Sequence, residues 1–344
     1  MLKENEILRK ITSLFDRSPH QINKVMESDA ELIKLDNGDV LAVTTDSVVE
    51  EISSGLYSDP FQIGWVAVMA SISDLAAVGA KPIGILLNED IPSDYPDEKI
   101  DLLQRGIQEA CRHSQTYVVG GDTNTSAELH IGTSALGLIK NGGPTISRKG
   151  CKNEDTLWIS GEMGHGSSYA YSKMFKNETA EKYLPSPSLS HGEVVRRFAS
   201  SCIDSSDGFY PAIANLMEVN EMGITLTYPI EDLLHPRAME IAIANNLPPW
   251  FFLAGPHGEF ELVFTVNKTV IENFVKEASE MNWEPIMIGE VNSKKAFLQK
   301  EDDKMVSRNV FEISNLFLKS GSNPEKYLKA LIQLNDKWQG GRKK

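Results

Sequence analysis

The sequence predicts an α/β N-terminal half followed by an α+β C-terminal half. Two patterns carry that expectation: β-branched runs alternate with helix-length stretches up to residue 139, and the strongest breaker cluster in the chain, Asn141-Gly142-Gly143-Pro144, comes directly after them. A third is length, since 344 residues exceed what one hydrophobic core usually organises. The boundary is expected between residues 141 and 152, dividing the chain into domains 1–146 and 147–344.

The opening Leu2–Phe15 places Leu8, Ile11 and Leu14 on one helical stripe, as an amphipathic terminal helix would. Asp39–Thr45 follows an Asp-Asn-Gly turn and reads as a strand that delivers Asp46 at its end. Asp59-Pro60 opens a long apolar helix closed near Gly79 and Pro82, rich in small residues and carrying a single acid, Asp74. Lys81–Leu87 reads as a strand and Asp97–Ser114 as an amphipathic helix. Thr116–Val119 reads as a strand ending in Gly-Gly-Asp, and Leu129–Ile139 as another. Beyond the boundary come the strand Thr156–Ser160, a Gly-rich turn into a helix, and a helix around Val194–Phe198. The loop Cys202–Gly208, a helix from Pro211, the Pro-rich Asn245–Phe252, the strand Glu261–Val266 and a closing helix follow.

Thirty-four basic against forty-eight acidic residues leave a net charge of −14, a field that repels nucleic acid and anionic membranes. No run reaches the length of a membrane span, and the polar start lacks the apolar centre of a signal peptide, so a cytoplasmic location is expected. Cys111, Cys151 and Cys202 are too widely spaced for a metal pair and read as buried thiols.

Acidic residues at expected strand ends and turns carry the functional signal: Asp29, Asp46, Asp122, Asp204 and Asp207, with Asp74 on the small-residue helix. Carboxylates converging from separate loops suit Mg²⁺, which takes hard oxygen ligands alongside a nucleotide's phosphates. Singly, each reads better as an ordinary turn residue capping backbone amides, and only the ensemble outweighs that reading. Gly120-Gly121-Asp122-Thr123 lets backbone amides approach an anion while its Asp reaches a metal. The turn Gly161–Ser168 either receives a phosphate on helix amides or is simply capped; its glycines do not fit a dinucleotide fingerprint, and no P-loop occurs. His165 and His257 sit in Gly-rich loops and are candidate substrate contacts. No nucleophile motif stands out.

In order and spacing these segments resemble the superfamily of aminoimidazole ribonucleotide synthetase, above all thiamine-monophosphate kinase, over roughly residues 27–290. Val43–Glu51 is similar to the kinase's strand and Asp motif, and Ile63–Pro82 to its signature helix. Gly120–Thr123, Ile146–Gly164, Ile203–Gly208 and Phe260–Thr265 follow. The resemblance implies an N-terminal sheet that forms a barrel with a second subunit, hence a homodimer, and ATP between the two domains. It implies that Asp29, Thr44, Thr45, Asp46, Asp74, Asp122, Asp204 and Asp207 bind Mg²⁺. Thr45, Gly120, Gly121, Asp122, Arg148 and Ser206 would hold the nucleotide, and Asp204 and Asp207 would serve catalysis. Ser53, His165, His257 and Glu259 would face a small-molecule acceptor.

Departures cluster at the acceptor end. Ser28 stands where the kinase has a second aspartate, and Ser53 falls where it places a substrate-facing polar residue. His257-Gly258-Glu259-Phe260-Glu261 replaces Gly-Glu-Asp-Tyr-Glu, and Pro185-Ser186-Pro187-Ser188 lacks the kinase's arginine. Three functions remain open: phosphoryl transfer to a small polar metabolite, ATP-driven cyclisation or dehydration through a phosphorylated oxygen, and nucleotide binding without turnover.

Overall fold

The computed structural model describes residues 2–176, 182–301 and 304–341. The chain opens with α1 (Lys3–Thr12), then β1 (Glu31–Lys34), β2 (Val40–Ser47), α2 (Val49–Ser53), α3 (Pro60–Ala77), β3 (Lys81–Pro92), α4 (Asp97–His113), β4 (Val118–Ser126) and β5 (His130–Ile139). Its strands form one open sheet ordered β1-β2-β5-β3-β4, antiparallel except for the parallel β3–β4 pair. The rest holds β6 (Thr156–Ile159), α5 (His165–Tyr171), α6 (Leu189–Phe198), β7 (Ala199–Asp204), α7 (Phe209–Asn220), β8 (Gly223–Leu226), α8 (Pro236–Ala244), β9 (Leu262–Val266) and α9 (Ile271–Glu280). It ends with β10 (Ile286–Asn292), β11 (Phe297–Glu301), β12 (Lys304–Arg308), α10 (Val310–Ser314), α11 (Leu316–Lys319) and α12 (Pro324–Gly341). A seven-stranded mixed sheet runs β12-β11-β8-β10-β6-β9-β7.

Helix α3 is the beam on which both sheets rest. Pro60 fixes the dihedral of its first turn, and the Asp59 side chain accepts a hydrogen bond from the Gln62 amide, so the start is sharply set. The helix is apolar nearly all round, and small side chains let neighbours approach its backbone closely. A Cβ on Gly64 would lie 2.2 Å from the Leu103 carbonyl of α4, and one on Gly106 2.0 Å from that of Phe61. On the sheet side the Thr133 hydroxyl donates to Ala67 O at 2.6 Å and lies 2.6 Å from the Ser71 hydroxyl. At the far end Ala76 and Ala77 enter a core shared with Val194, Val195 and Phe264 of the second half. Against the expectation that no run reaches the length of a membrane span, this helix is long and apolar enough to cross a membrane, yet 78% of it is buried inside the protein, as in a core helix.

Three expectations are corrected. The stripe on α1 is not buried: Ile11 and Leu14 are 48% and 81% exposed, and polar contacts tether the helix instead, including Arg9 to Glu218 at 3.0 Å. The strand expected to end at Gly-Gly-Asp runs on to Ser126 as β4, and pairing with β3 holds Gly120-Gly121-Asp122 extended within it. Cys202–Asp204 belongs to strand β7, which delivers Asp204 at its end. All three cysteines are buried.

Gly106→Ala should lower stability by about 1–3 kcal/mol, read from the urea midpoint, because the added methyl must push α4 from α3. An unchanged midpoint would contradict the close packing.

Candidate functional site

Three carboxylates from distant parts of the chain meet at one point. Asp29 precedes β1, Asp74 lies on α3, and Asp204 ends β7; they offer oxygens that all lie within 4.8 Å of one another. They line or adjoin a cavity of about 530 Å³ whose walls also include Thr44, Thr45, Asp46, Arg148, Ser206, Asp207 and His257. Each acid is oriented by a local partner. Thr44 donates to Asp74, Ser73 donates to Asp204, and the Ser206 hydroxyl reaches the other Asp204 oxygen at 3.1 Å. Alternation along β2 turns Thr44 and Asp46 toward α3, where Asp46 shares a hydrogen bond with the Asp74 carboxyl.

Arg148 answers part of this charge. Its Nε and Nη2 both donate to Asp29 Oδ1, at 3.0 and 2.7 Å, and the Asp29 side chain is fully buried. The arginine is itself held in place, its amide donating to Glu27 O and its carbonyl accepting from Asn220. Asp29 Oδ2 and Ser28 Oγ stay buried without a hydrogen-bond partner among the described residues, a costly state for polar atoms.

One guanidinium cannot neutralise so many acids. Burial, followed by the charges of Asp46, Asp204 and Asp29, pushes Asp74 well above the usual carboxylate range. Burial and then Asp29 push Asp204 up to about 7, and burial raises Asp46. Burial, followed by the charges of Glu4 and Asp204, pushes Asp207 up to about 7 as well, with Arg148 acting in the opposite direction.

The wall carrying Ser206, Asp207 and His257 depends on glycine. A Cβ on Gly258 would fall 1.5 Å from the Ser205 carbonyl, and the Gly258 amide donates to Ser206 O at 2.8 Å. Gly255, at φ +82°, lets its loop pass over Asp207 O, which a Cβ would approach to 2.0 Å. Burial lowers His257 to about 4, so its imidazole is neutral.

The chain leaves the other expected residues outside this cavity. Gly120, Gly121 and Asp122 lie exposed in the edge strand β4; Asp122 accepts from Asn124 Nδ2 at 2.9 Å. The register Asp46–Thr133–Leu87–Gly121 puts Gly121 in the row of Asp46, three strand spacings or about 14 Å away, and turns Asp122 to the opposite face. Ser53 is exposed at the end of α2. His165 stacks on His235 with centroids 4.1 Å apart and meets Tyr183 edge-on. Glu259 is buried behind the wall, where its Oε2 accepts from the Gly164 amide at 2.8 Å and holds the Gly-rich turn.

Sequence reasoning missed Glu51 and Tyr57, which also line the cavity. Val48–Ser53 resembles any acidic surface turn, and only the fold turns Glu51 inward, its Oε2 buried without a partner.

Residues 27–139 match the family model "AIR synthase related protein, N-terminal domain". The thiamine-monophosphate kinase of Buchnera aphidicola subsp. Schizaphis graminum is 29% identical over 282 residues, covering 78% of this chain and 84% of that protein. The one from Methanocaldococcus jannaschii is 26% identical over 322 residues, covering 88% and 97%. Among solved structures, AaThiL complexed with AMPPCP and TMP superposes with a TM-score of 0.72 at 18% identity, covering 89% of this chain and 96% of that one, a likeness of fold.

Glu259 offers a test of the wall. Burial raises it to about 8 from an ordinary 4.5, so its stabilising proton is fully held below the unfolded value and lost as pH rises through 8. The melting temperature of the native protein should therefore fall relative to Glu259→Gln between pH 5 and pH 8.5. Parallel curves would contradict the assignment.

Proposed function

From an N-terminal segment that matches the AIR synthase-related family model, and from thiamine-monophosphate kinases that are similar over most of the chain, we propose an enzyme of ATP-dependent phosphoryl transfer to a small-molecule acceptor. The observation that carries this reading is the convergence of Asp29, Asp74 and Asp204, with Asp46 and Asp207 beside them, in one cavity. Oxygen-only donors within 4.8 Å and an orphaned Asp29 Oδ2 fit Mg²⁺, and the absence of Cys or His from that group argues against zinc. In this assignment Asp29, Thr44, Asp46, Asp74 and Asp204 hold Mg²⁺, which supplies charge neutralisation for the phosphates.

The protein's own groups then position the reactants. Arg148, fixed on Asp29, directs its remaining donors toward nucleotide phosphate, and Ser206 offers a hydroxyl on the same wall. The acceptor oxygen bonds to the γ-phosphorus, the bond from that phosphorus to the β–γ bridging oxygen breaks, and its electron pair leaves on ADP. The acceptor proton passes to Asp207, the acid most open to the cavity. This chemistry asks mainly for alignment and charge, which suits a site without a covalent nucleophile.

Residues 1–146 and 147–344 are the two domains in this reading, with the nucleotide between them. The open face of the first sheet is the seat for a second copy: Ile83, Val118 and Val119 are 47%, 42% and 56% exposed beside the unpaired edge of β4. A homodimer closing a barrel there would cover them and give Thr45, Gly120, Gly121 and Asp122 their role at a shared site.

Product analysis tests the reaction: ADP with a phosphorylated acceptor supports it, whereas inorganic phosphate with a cyclised or dehydrated product, or binding without turnover, overturns it. Asp46→Asn should lower turnover by about 100-fold or more, the several kcal/mol of charge stabilisation a metal site supplies, without lowering the metal-free melting temperature. Retained turnover would count against the cation site.

A further inference from the structure

Residues 254–261 run from the Pro249–Leu253 turn into β9 without a helix or strand of their own, yet this loop presses on Ser205 and Asp207 more closely than a Cβ would allow. Irregular buried backbone needs donors for its carbonyls, and here they come from side-chain hydroxyls on three other parts of the chain. The Tyr327 hydroxyl, on α12, donates to Gly255 O at 2.9 Å and lies 3.3 Å from Ala254 O. Ser167 Oγ, on α5, donates to His257 O at 3.0 Å. The Tyr183 hydroxyl donates to Gly258 O at 2.7 Å. Both tyrosines are buried, and packing fixes their rings: Tyr327 lies edge-on to Phe317 with centroids 5.3 Å apart, and Tyr183 stacks on Tyr169 at 5.4 Å. Neither is among the described residues that line the acid cavity.

Resting on the phosphoryl-transfer reading, we propose that Tyr183 and Tyr327 are positioning residues for that reaction, clamping the loop at Gly258 and Gly255 and through it the turn that carries Ser206 and Asp207. The linkage is continuous. Gly255, gripped by Tyr327, lies against Asp207 O, and Gly258, gripped by Tyr183, donates its amide to Ser206 O at 2.8 Å. Freeing either carbonyl lets the loop lift, and the turn loses the surface that sets its position. Phosphoryl transfer depends on alignment, so a small displacement of Asp207 costs rate. Nucleotide affinity is spared, because Asp29, Asp74, Asp204 and Arg148 stand on other elements. The clamp also makes α12 a support of the site, although the helix contributes nothing to the cavity wall.

Tyr183→Phe and Tyr327→Phe keep both rings and remove only the hydroxyls. In full-length protein without any acceptor, amide hydrogen exchange should rise at least about fivefold at Gly208 and Gly258 in either variant while α3 keeps its protection. With ATP, Mg²⁺ and thiamine monophosphate as the acceptor probe, kcat should fall about tenfold and the KM for ATP should move less than about twofold. Unchanged exchange at Gly208 and Gly258, an equal rise throughout α3, or weakened ATP binding with kcat retained would overturn the proposal. Absence of nucleotide binding by the native protein would instead remove the phosphoryl-transfer reading, and the exchange measurement decides the clamp whatever the acceptor proves to be.

Discussion

The repulsion among Asp29, Asp74 and Asp204 is the constraint around which this molecule is built. Acids with oxygens inside 4.8 Å cannot all be charged in a dry cleft without opposing charge, and Arg148 supplies a single unit, already spent on Asp29. Burial, with the neighbouring charges adding to it, raises both Asp74 and Asp204. Hydroxyls from Thr44, Ser73 and Ser206 orient the oxygens without adding charge. A site that keeps such repulsion in its resting state is suited to a cation and a polyanion arriving together.

Holding the acids together falls to packing. Small residues along α3 allow the first sheet, α4 and α6 to approach one helix, so Asp74 faces both Thr44 of β2 and the end of β7. The glycines at 255 and 258 perform the same task for the opposite wall, pressing one loop onto the turn that carries Ser206 and Asp207. Substitutions far from the acids in sequence therefore act on the site through backbone spacing.

Much of this was legible in the sequence because it is local. The Asp59-Pro60 start of α3, its single acid and the β-branched run before Asp46 are written in adjacent residues. Cys202–Asp204 was placed in a loop because the Ser-Ser-Asp-Gly that follows dominates the signal, whereas pairing with β9 extends the strand. The charged antiparallel pair of β11 and β12, with sequences Phe-Leu-Gln-Lys-Glu and Lys-Met-Val-Ser-Arg, carries little hydrophobic alternation to signal it in the sequence. Glu51 illustrates the deeper limit: its burial depends on how α2 folds over the cavity, and no spacing rule contains that.

The most direct measurement is the melting temperature of metal-free protein titrated with Mg²⁺ and a non-hydrolysable ATP analogue, beside Asp74→Asn. A ligand at about 100 times its dissociation constant adds about 2.7 kcal/mol, so the native protein should melt several degrees higher and the variant should respond far less. Equal shifts in the two proteins, or none in the native one, would show that the clustered acids do not form a cation and nucleotide site.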